Sequence, residues 1–299
     1  MCKKLILQIG RFDRNFEDSL TFVYDNKEYK SPLSSLALKS YFDNAKLILI
    51  YPVSLLLNKN FINLKEDGFF SRLNLIHNDE NEKEKYLKNP EDFFINHPHS
   101  KLVDDFICIH SIGEYENVKF ESKLEDFILY LLVFLLKEYL KNPFEELYVD
   151  ISSGLNLYIT ALIESLKYFN IWSQFYNREN ESNKVKTFII YTDPIIGGSS
   201  KIYNIYMHEI KTKAFFDSPI SYVDIEGGYK IKSITKEFVE KQLKFNSKLD
   251  NEKLVKLKYY LREFIILFSS LKNTTPLLLY NYNFEMEIEK LLEFFDKNI

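Results

Sequence analysis

The chain is poor in residues that interrupt or cross-link a fold. Glycine and proline number only 8 each in 299 residues, which excludes a collagen-like or linker-dominated chain and argues against general disorder. Cysteine is limited to Cys2 and Cys108, too few for a disulfide framework, so the expected setting is a reducing cytoplasm. A net charge of -4 excludes a generally basic nucleic-acid coat but leaves room for one small basic pocket. Arginine is confined to Arg11, Arg14, Arg72, Arg178 and Arg262. The most apolar run, Phe127 to Leu136, is closed by Asp126 and Lys137, far short of the roughly 20 residues that span a bilayer. Leu5 to Ile9 is a short apolar run followed by Gly10 and charges, the pattern of a first strand and not of a signal peptide. Neither G-x-G-x-x-G nor G-x-x-x-x-G-K-[ST] occurs, which argues against dinucleotide oxidoreductases and P-loop hydrolases.

What is present is material for a large aromatic core: 46% hydrophobic residues, with Tyr 21 and Phe 26. The length suits one large α/β domain plus an appendage, or two modest domains. The clearest stretch runs from Glu146 to Phe169. It predicts a buried strand (Leu147 to Ile151), a tight polar turn (Ser152, Ser153, Gly154) and a helix opening near Asn156. Leu155, Ile159, Leu162, Ile163 and Leu166 form that helix's apolar stripe. Further strands are expected at Leu5 to Ile9, Lys46 to Val53, Phe106 to His110, Lys186 to Tyr191 and Ile202 to Ile210, the last with Tyr203, Ile205 and Met207 on one face. A hairpin is expected from Leu20 to Tyr29 across Asp25-Asn26-Lys27. A helix from Ser34 to Phe42 would turn Leu36, Ala37 and Tyr41 inward. Ser122-Lys-Leu-Glu125 reads as a capping box opening a helix to Leu140. Asn58 to Ser100 gives a weak pattern, and its charge run Asn78 to Lys85 reads as a solvated loop or helix start.

Strands alternating with helices predict an α/β, Rossmann-like fold: a mostly parallel sheet with helices on both faces. That sheet domain is expected over residues 1–215. Helices expected at Thr235 to Phe245, Glu252 to Ser270 and Phe284 to Phe295 make 216–299 a helical module, small for its own core and expected to lean on a neighbour.

In such a sheet, ligands bind beyond the carboxyl ends of the central strands. The polar residues placed there are Gly10, Arg11, Phe12 and Asp13; Pro52 and Ser54; Ser111 and Gly113; Ser152, Ser153, Gly154, Leu155 and Asn156; and Thr192 with Asp193. The turn at Ser152 to Asn156 leaves N–H groups at a helix start, a site for an anion, and Gly154 admits a ligand to the backbone. Arg11 and Arg14 offer forked donors suited to phosphate. A strand-to-helix turn capped by Ser and Asn, and an ion pair of these arginines with Asp13 or Glu17, are the bland alternatives. His97-Pro-His99 lacks a Cys or carboxylate at metal-ligand spacing and reads as a loop pair. Arg72-x4-His77 fits a short ribonuclease pattern inside the sheet domain and reads as chance. Cys108 reads as core.

Taken in order, the Gly10-Arg-Phe-Asp loop, Phe22-Val-Tyr24, Ser31-Pro-Leu-Ser-Ser-Leu-Ala37, Ser111-Ile-Gly-Glu-Tyr115 and above all Asp150-Ile-Ser-Ser-Gly-Leu-Asn156 resemble the CARF domain of CRISPR-associated type III accessory proteins. In that family the turn usually reads Asp-[Ile/Leu]-Thr/Ser-His-Gly-x-Asn, and here Ser153 stands in place of His. Thr274-Thr-Pro-Leu-Leu-Leu-Tyr280 resembles the segment preceding the HEPN ribonuclease domain of long members. The resemblance implies a homodimer binding cyclic oligoadenylate across its two-fold axis through the rim residues named above, with no cofactor or metal. No His follows His208, so the R-x4–6-H motif is missing from the tail and a HEPN ribonuclease is not expected. A first alternative is a metal-independent ring nuclease in which a ribose 2′-OH attacks in line, with Ser153 and Arg11 as catalytic candidates aided by Ser152 and Asn156. The missing His leaves its general base unnamed. A second alternative is a ligand-gated regulator whose tail binds DNA, although Glu237 and Glu240 offset Lys236, Lys241 and Lys244. A nucleotide-sugar or phosphate enzyme on the same fold is the residual reading. Membrane association and direct nucleic-acid binding are not expected.

Overall fold

In the computed structural model, the described residues are 3–11, 19–58, 68–115, 117–177, 184–194, 202–210, 222–225, 228–231, 251–272, 289–290 and 292–293. The strands are β1 (Lys4–Ile9), β2 (Leu20–Tyr24), β3 (Lys27–Ser31), β4 (Ala45–Pro52), β5 (Asp105–Ile109), β6 (Gly113–Tyr115), β7 (Val118–Phe120), β8 (Glu146–Asp150), β9 (Lys186–Thr192) and β10 (Ile202–Glu209). One 8-stranded sheet runs in the order β3-β2-β10-β9-β8-β1-β4-β5. Its centre, β5-β4-β1-β8-β9, is parallel throughout. The chain winds from β1 outward to β4 and β5, then returns to the other side of β1 and continues through β8 and β9. The strand order therefore reverses between β1 and β8, and the crevice beyond their carboxyl ends is the place where such sheets receive ligands.

The helices are α1 (Ser34–Tyr41), α2 (Gly68–Asn78), α3 (Glu80–Lys88), α4 (Glu91–Phe94), α5 (Leu124–Lys141) and α6 (Asn156–Tyr176). On one face of the sheet, Leu5, Leu7, Ile9, Leu147 and Val149 join Leu132 and Leu136 of α5 and Leu162, Leu166 and Phe169 of α6 in one core. On the other face, Ile6, Leu47, Tyr148, Ile190, Tyr203 and Ile205 join Ala37 and Leu38 of α1. Leu36 packs against this core as a partly buried residue, and Leu38 takes the inward place expected of Tyr41. Tyr41 lies at the rim, its ring edge-on to Tyr24 with centroids 4.7 Å apart. The hairpin turn is tighter than expected: Asp25 and Asn26 both have positive φ, the two-residue geometry that suits strand twist, and Lys27 already belongs to β3. The box at α5 is displaced by one residue. The Lys123 N–H donates to Asp126 Oδ2 at 2.7 Å, so Lys123 and not Ser122 precedes the helix.

Residues 68–109 build a third cluster that the sequence pattern did not disclose. Tyr51, Phe69, Phe70, Leu73, Tyr86, Phe93, Phe94 and Cys108 pack together there. The charge run belongs to α3, with Asp79 as its N-cap accepting from the Asn81 N–H. Arg72 and His77 are packing residues: the Arg72 guanidinium lies 4.4 Å from the centre of the Phe93 ring, and His77 Nε2 lies 2.9 Å from the Leu56 carbonyl. His97 and His99 are fully buried, with His97 Nδ1 3.2 Å from the Tyr51 hydroxyl. Among the described residues no three His, Cys, Asp or Glu side chains are grouped to hold a metal ion.

Burial, reinforced by neighbouring His99, holds the His97 imidazole well below the ordinary histidine range. The unfolded chain therefore takes up a proton at this position before the folded protein does. Stability is lost as pH falls below about 6.5, by up to roughly 1.4 kcal/mol per pH unit for this one group. Urea midpoints measured from pH 7.5 to 5.5 should fall, and His97→Asn should flatten that slope.

Beyond β10 the chain forms an antiparallel hairpin, β11 (Tyr222–Ile225) with β12 (Gly228–Ile231), which was not anticipated. Helix α7 (Asn251–Lys272) follows. Leu257, Leu261 and Leu292 join the core around α5 and α6, so the tail does lean on the sheet domain. The expected helix Thr235 to Phe245, the Thr274 to Tyr280 stretch and most of Phe284 to Phe295 lie outside the described residues. No described helix is long and apolar enough to cross a membrane.

Candidate functional site at the strand switch point

β8 ends at Asp150, which is fully buried. The Ile151 N–H still donates to the Ile190 carbonyl at 2.9 Å, and the chain then leaves the sheet. The Ser152 N–H turns back to Asp150 Oδ1 at 2.9 Å, Gly154 adopts φ +76°, and the 21-residue α6 starts at Asn156. Its N-cap position is Leu155, and no side chain caps it. Ser152, Ser153 and Asn156 are therefore not the caps that an ordinary turn would make of them. The Ser152 and Ser153 hydroxyl oxygens are buried with no aligned hydrogen-bond partner among the described residues. That of Ser152 does lie close enough to the Asp150 carboxylate to favour its charge. Buried hydroxyls left in this way are unfavourable unless something else occupies them.

A Cβ on Gly154 would meet nothing within 4 Å. Its glycine is required by the left-handed backbone alone, and the space beside it is open. Gly154→Ala should therefore lose only about 1 to 2 kcal/mol of stability, read as a small shift in urea midpoint. A much larger loss would show that the turn is closely packed.

At the end of β1, the Gly10 N–H donates to the Ile50 carbonyl at 2.8 Å. A Cβ on Gly10 would lie 2.3 Å from two carbons of the Tyr51 ring. Gly10 is thus a glycine because Tyr51 packs against it, a reason that applies without any ligand. Arg11 Nη2 donates to the Pro32 carbonyl at 3.0 Å, and its charge favours ionised Asp150 across the switch point. Phe12, Asp13 and Arg14 lie outside the described residues.

Beneath the turn lies a polar network that sequence reading missed. Gln8 of β1 and Asp150 of β8 are register partners. Ser34 Oγ donates to Asp150 Oδ2 at 2.5 Å, Gln8 Nε2 donates to Ser34 Oγ at 3.4 Å, and the Ser35 hydroxyl donates to Gln8 Oε1. Burial raises the Asp150 carboxyl above its ordinary range, while Ser34, Ser152 and Arg11 work against that rise. A signal did exist in the sequence: each of two apolar strands carries one polar residue near its carboxyl end.

The rest of the rim is framework. The Ser54 N–H donates to Ser111 Oγ at 2.7 Å, and both residues are buried, so they fasten the end of β4 to that of β5. Pro52 is buried as the last residue of β4, and Gly113 opens β6 with φ +98°. Tyr158, from the first turn of α6, comes beside this pair. Burial raises its phenol, and the Ser111 and Ser54 hydroxyls hold that rise back. Asp193, just past Thr192, accepts from the Asn204 N–H at 2.7 Å and from the Tyr206 hydroxyl at 3.0 Å. Those donors hold its carboxyl below the usual range and close β9 onto β10. The fold thus gathers Gly10, Arg11, Ser152, Ser153, Gly154, Leu155 and Asn156 at the crevice, with Thr192 one strand away. Pro52, Ser54, Ser111 and Asp193 are engaged elsewhere in the scaffold.

A parallel sheet that reverses at β1 and β8, with a glycine turn and an uncapped helix start at that reversal, defines a Rossmann-like ligand-binding domain. A family model described as the CARF domain of CRISPR system endoribonuclease Csx1 matches residues 5–194. The chain belongs to this CARF family, whose domains sense cyclic oligoadenylates in type III CRISPR defence. Among curated proteins, none matches the chain.

Proposed function

We propose that this protein is a cyclic oligoadenylate sensor that binds the ring intact at the interface of a homodimer. The observation that carries the reading is the pair of buried, unaligned hydroxyls of Ser152 and Ser153 beside the uncapped start of α6. Phosphodiester oxygens accept hydrogen bonds readily, and a helix start with its positive dipole end favours them. Arg11 adds the positive charge, and Gly154, Leu155 and Asn156 line the backbone approach. A ring of repeating nucleotides has rotational symmetry, so a two-fold dimer offers it the same turn twice. The segment after residue 215 serves as a dimerisation or effector-adjacent module.

Binding without cleavage is favoured by the state of Asp150, the buried carboxylate that ends β8. Both its oxygens are already engaged by Ser152 and Ser34, so it is poorly placed to accept a proton from a ribose 2′-OH. The test is to pass the protein with cyclic tetra- or hexa-adenylate through gel filtration in EDTA and to chromatograph the bound nucleotide. Co-elution of intact ring is expected. Recovery of linear oligoadenylate would make the protein a ring nuclease, and no co-elution of either ring would refute the reading.

A further inference from the structure

We infer that Asp150 and Ser34 form a tether that holds the Ser152 to Gly154 turn in its ligand-receiving shape, which makes Asp150 a positioning residue. The inference rests on the sensor reading above for its consequence, though not for its geometry.

A carboxylate buried as deeply as Asp150 is unfavourable unless its oxygens are hydrogen-bonded. Here each oxygen has a separate task. Oδ1 takes the Ser152 N–H at 2.9 Å, which fixes the first residue of the turn. Oδ2 takes the Ser34 hydroxyl at 2.5 Å, which fixes the carboxylate to the first turn of α1. Ser34 is itself held by Gln8, and Gln8 by Ser35. The tether therefore joins the β8 turn directly to α1, with Gln8 of β1 supporting it. Among the described residues, the other bonds at the turn are backbone ones, from Ile151 to the Ile190 carbonyl and from Asn156 to the Gly154 carbonyl. No side chain caps α6, and Gly154 has open space around it. This carboxylate is the side chain that fixes the Ser152 end of the turn.

The tether also has a charge state. β1, α1 and β9 face Asp150 with Gln8, Ser34 and Ile190, none of them titratable. The loop after β1 brings Arg11, whose charge favours the ionised form. Protonation would convert one acceptor oxygen into a donor and release one end of the tether. Ring affinity should accordingly fall in acid, through the titration of Asp150. Removing the Ser34 hydroxyl deletes a bond to the charged form, so that fall should begin at higher pH.

Two variants test this, with two readouts. Hydrogen exchange is followed over residues 150–156 without ligand, and calorimetry with cyclic tetra- and hexa-adenylate is run across pH. Ser34→Ala should speed exchange at the Ser152 amide and weaken ring binding, each by about tenfold, and should move the acid limb upward. Asp150→Asn, like the protonated acid, puts a donor where the Ser34 hydroxyl needs an acceptor, so at neutral pH it should bind about as weakly as the parent does in acid, and it should show no acid limb. Parent-like exchange and affinity in Ser34→Ala, or an unchanged acid limb in Asp150→Asn, would overturn the tether. If the parent binds neither ring, the sensor reading fails, and exchange at Ser152 alone decides the tether.

Discussion

Gly10→Ala should destabilise the protein by about 3 kcal/mol, near the upper end of what overpacking one methyl group brings. The added Cβ would sit 2.3 Å from Cδ1 and Cε1 of Tyr51, well inside contact distance, so the ring must move. It has no easy way to do so. Tyr51 is wholly buried and stacks on Phe94 with centroids 4.4 Å apart and planes at 12°. Its hydroxyl accepts from Ser100 Oγ and meets His97 Nδ1, both at 3.2 Å. Displacing the ring therefore disturbs the whole aromatic cluster above β4. For a chain of this size the melting temperature should fall by about 5 °C. Tyr51→Leu leaves room for the new methyl group, so the double variant Gly10→Ala/Tyr51→Leu should lose less than the two single losses added together. Strict additivity would show that Tyr51 is not what requires the glycine.

The second large effect falls on binding and has the opposite signature. Ser152→Ala/Ser153→Ala should weaken affinity for cyclic oligoadenylate by about 100-fold or more, taking each hydroxyl as one hydrogen bond to a charged group. The free protein should change little in stability. The Ser153 hydroxyl oxygen is buried without a partner among the described residues, so its removal relieves a penalty, which offsets the loss of the Ser152 hydroxyl beside the Asp150 carboxylate. Calorimetry and thermal melts on the same preparation read the two quantities together. Parallel loss of stability and affinity would mean that the hydroxyls support the scaffold and not a ligand.

These contrasting glycines and serines show what the sequence could convey. The strand, turn and helix from Glu146 onward were legible because a short apolar run, small residues and a helical stripe follow one another without overlap. The alternation in β10 was equally plain, with Tyr203 and Ile205 buried and Ile202 and Tyr206 exposed. Gly10 was harder. A glycine after a first strand looks like a ligand loop, and its real neighbour, Tyr51, is distant in sequence and adjacent only through the pairing of β1 with β4. The α3 region was opaque for a different reason. Of its nine residues only the adjacent pair Tyr86 and Leu87 is apolar, and the Tyr86 hydroxyl donates to the Val53 carbonyl. A helix whose apolar residues are one adjacent pair shows no stripe. The Asp150 network escaped because polar residues in strands are informative only when register is known, and register places Gln8 beside Asp150.

The central claim is that two copies of the switch-point turn receive one cyclic oligoadenylate. Its most direct test is a calorimetric titration of the full chain with cyclic tetra-adenylate and with cyclic hexa-adenylate in EDTA, using linear oligoadenylate as control. Saturation by one of the rings at one molecule per two chains, with much weaker binding of the linear form, is the predicted result. No saturable heat from either ring, or equal binding of the linear form, would contradict it.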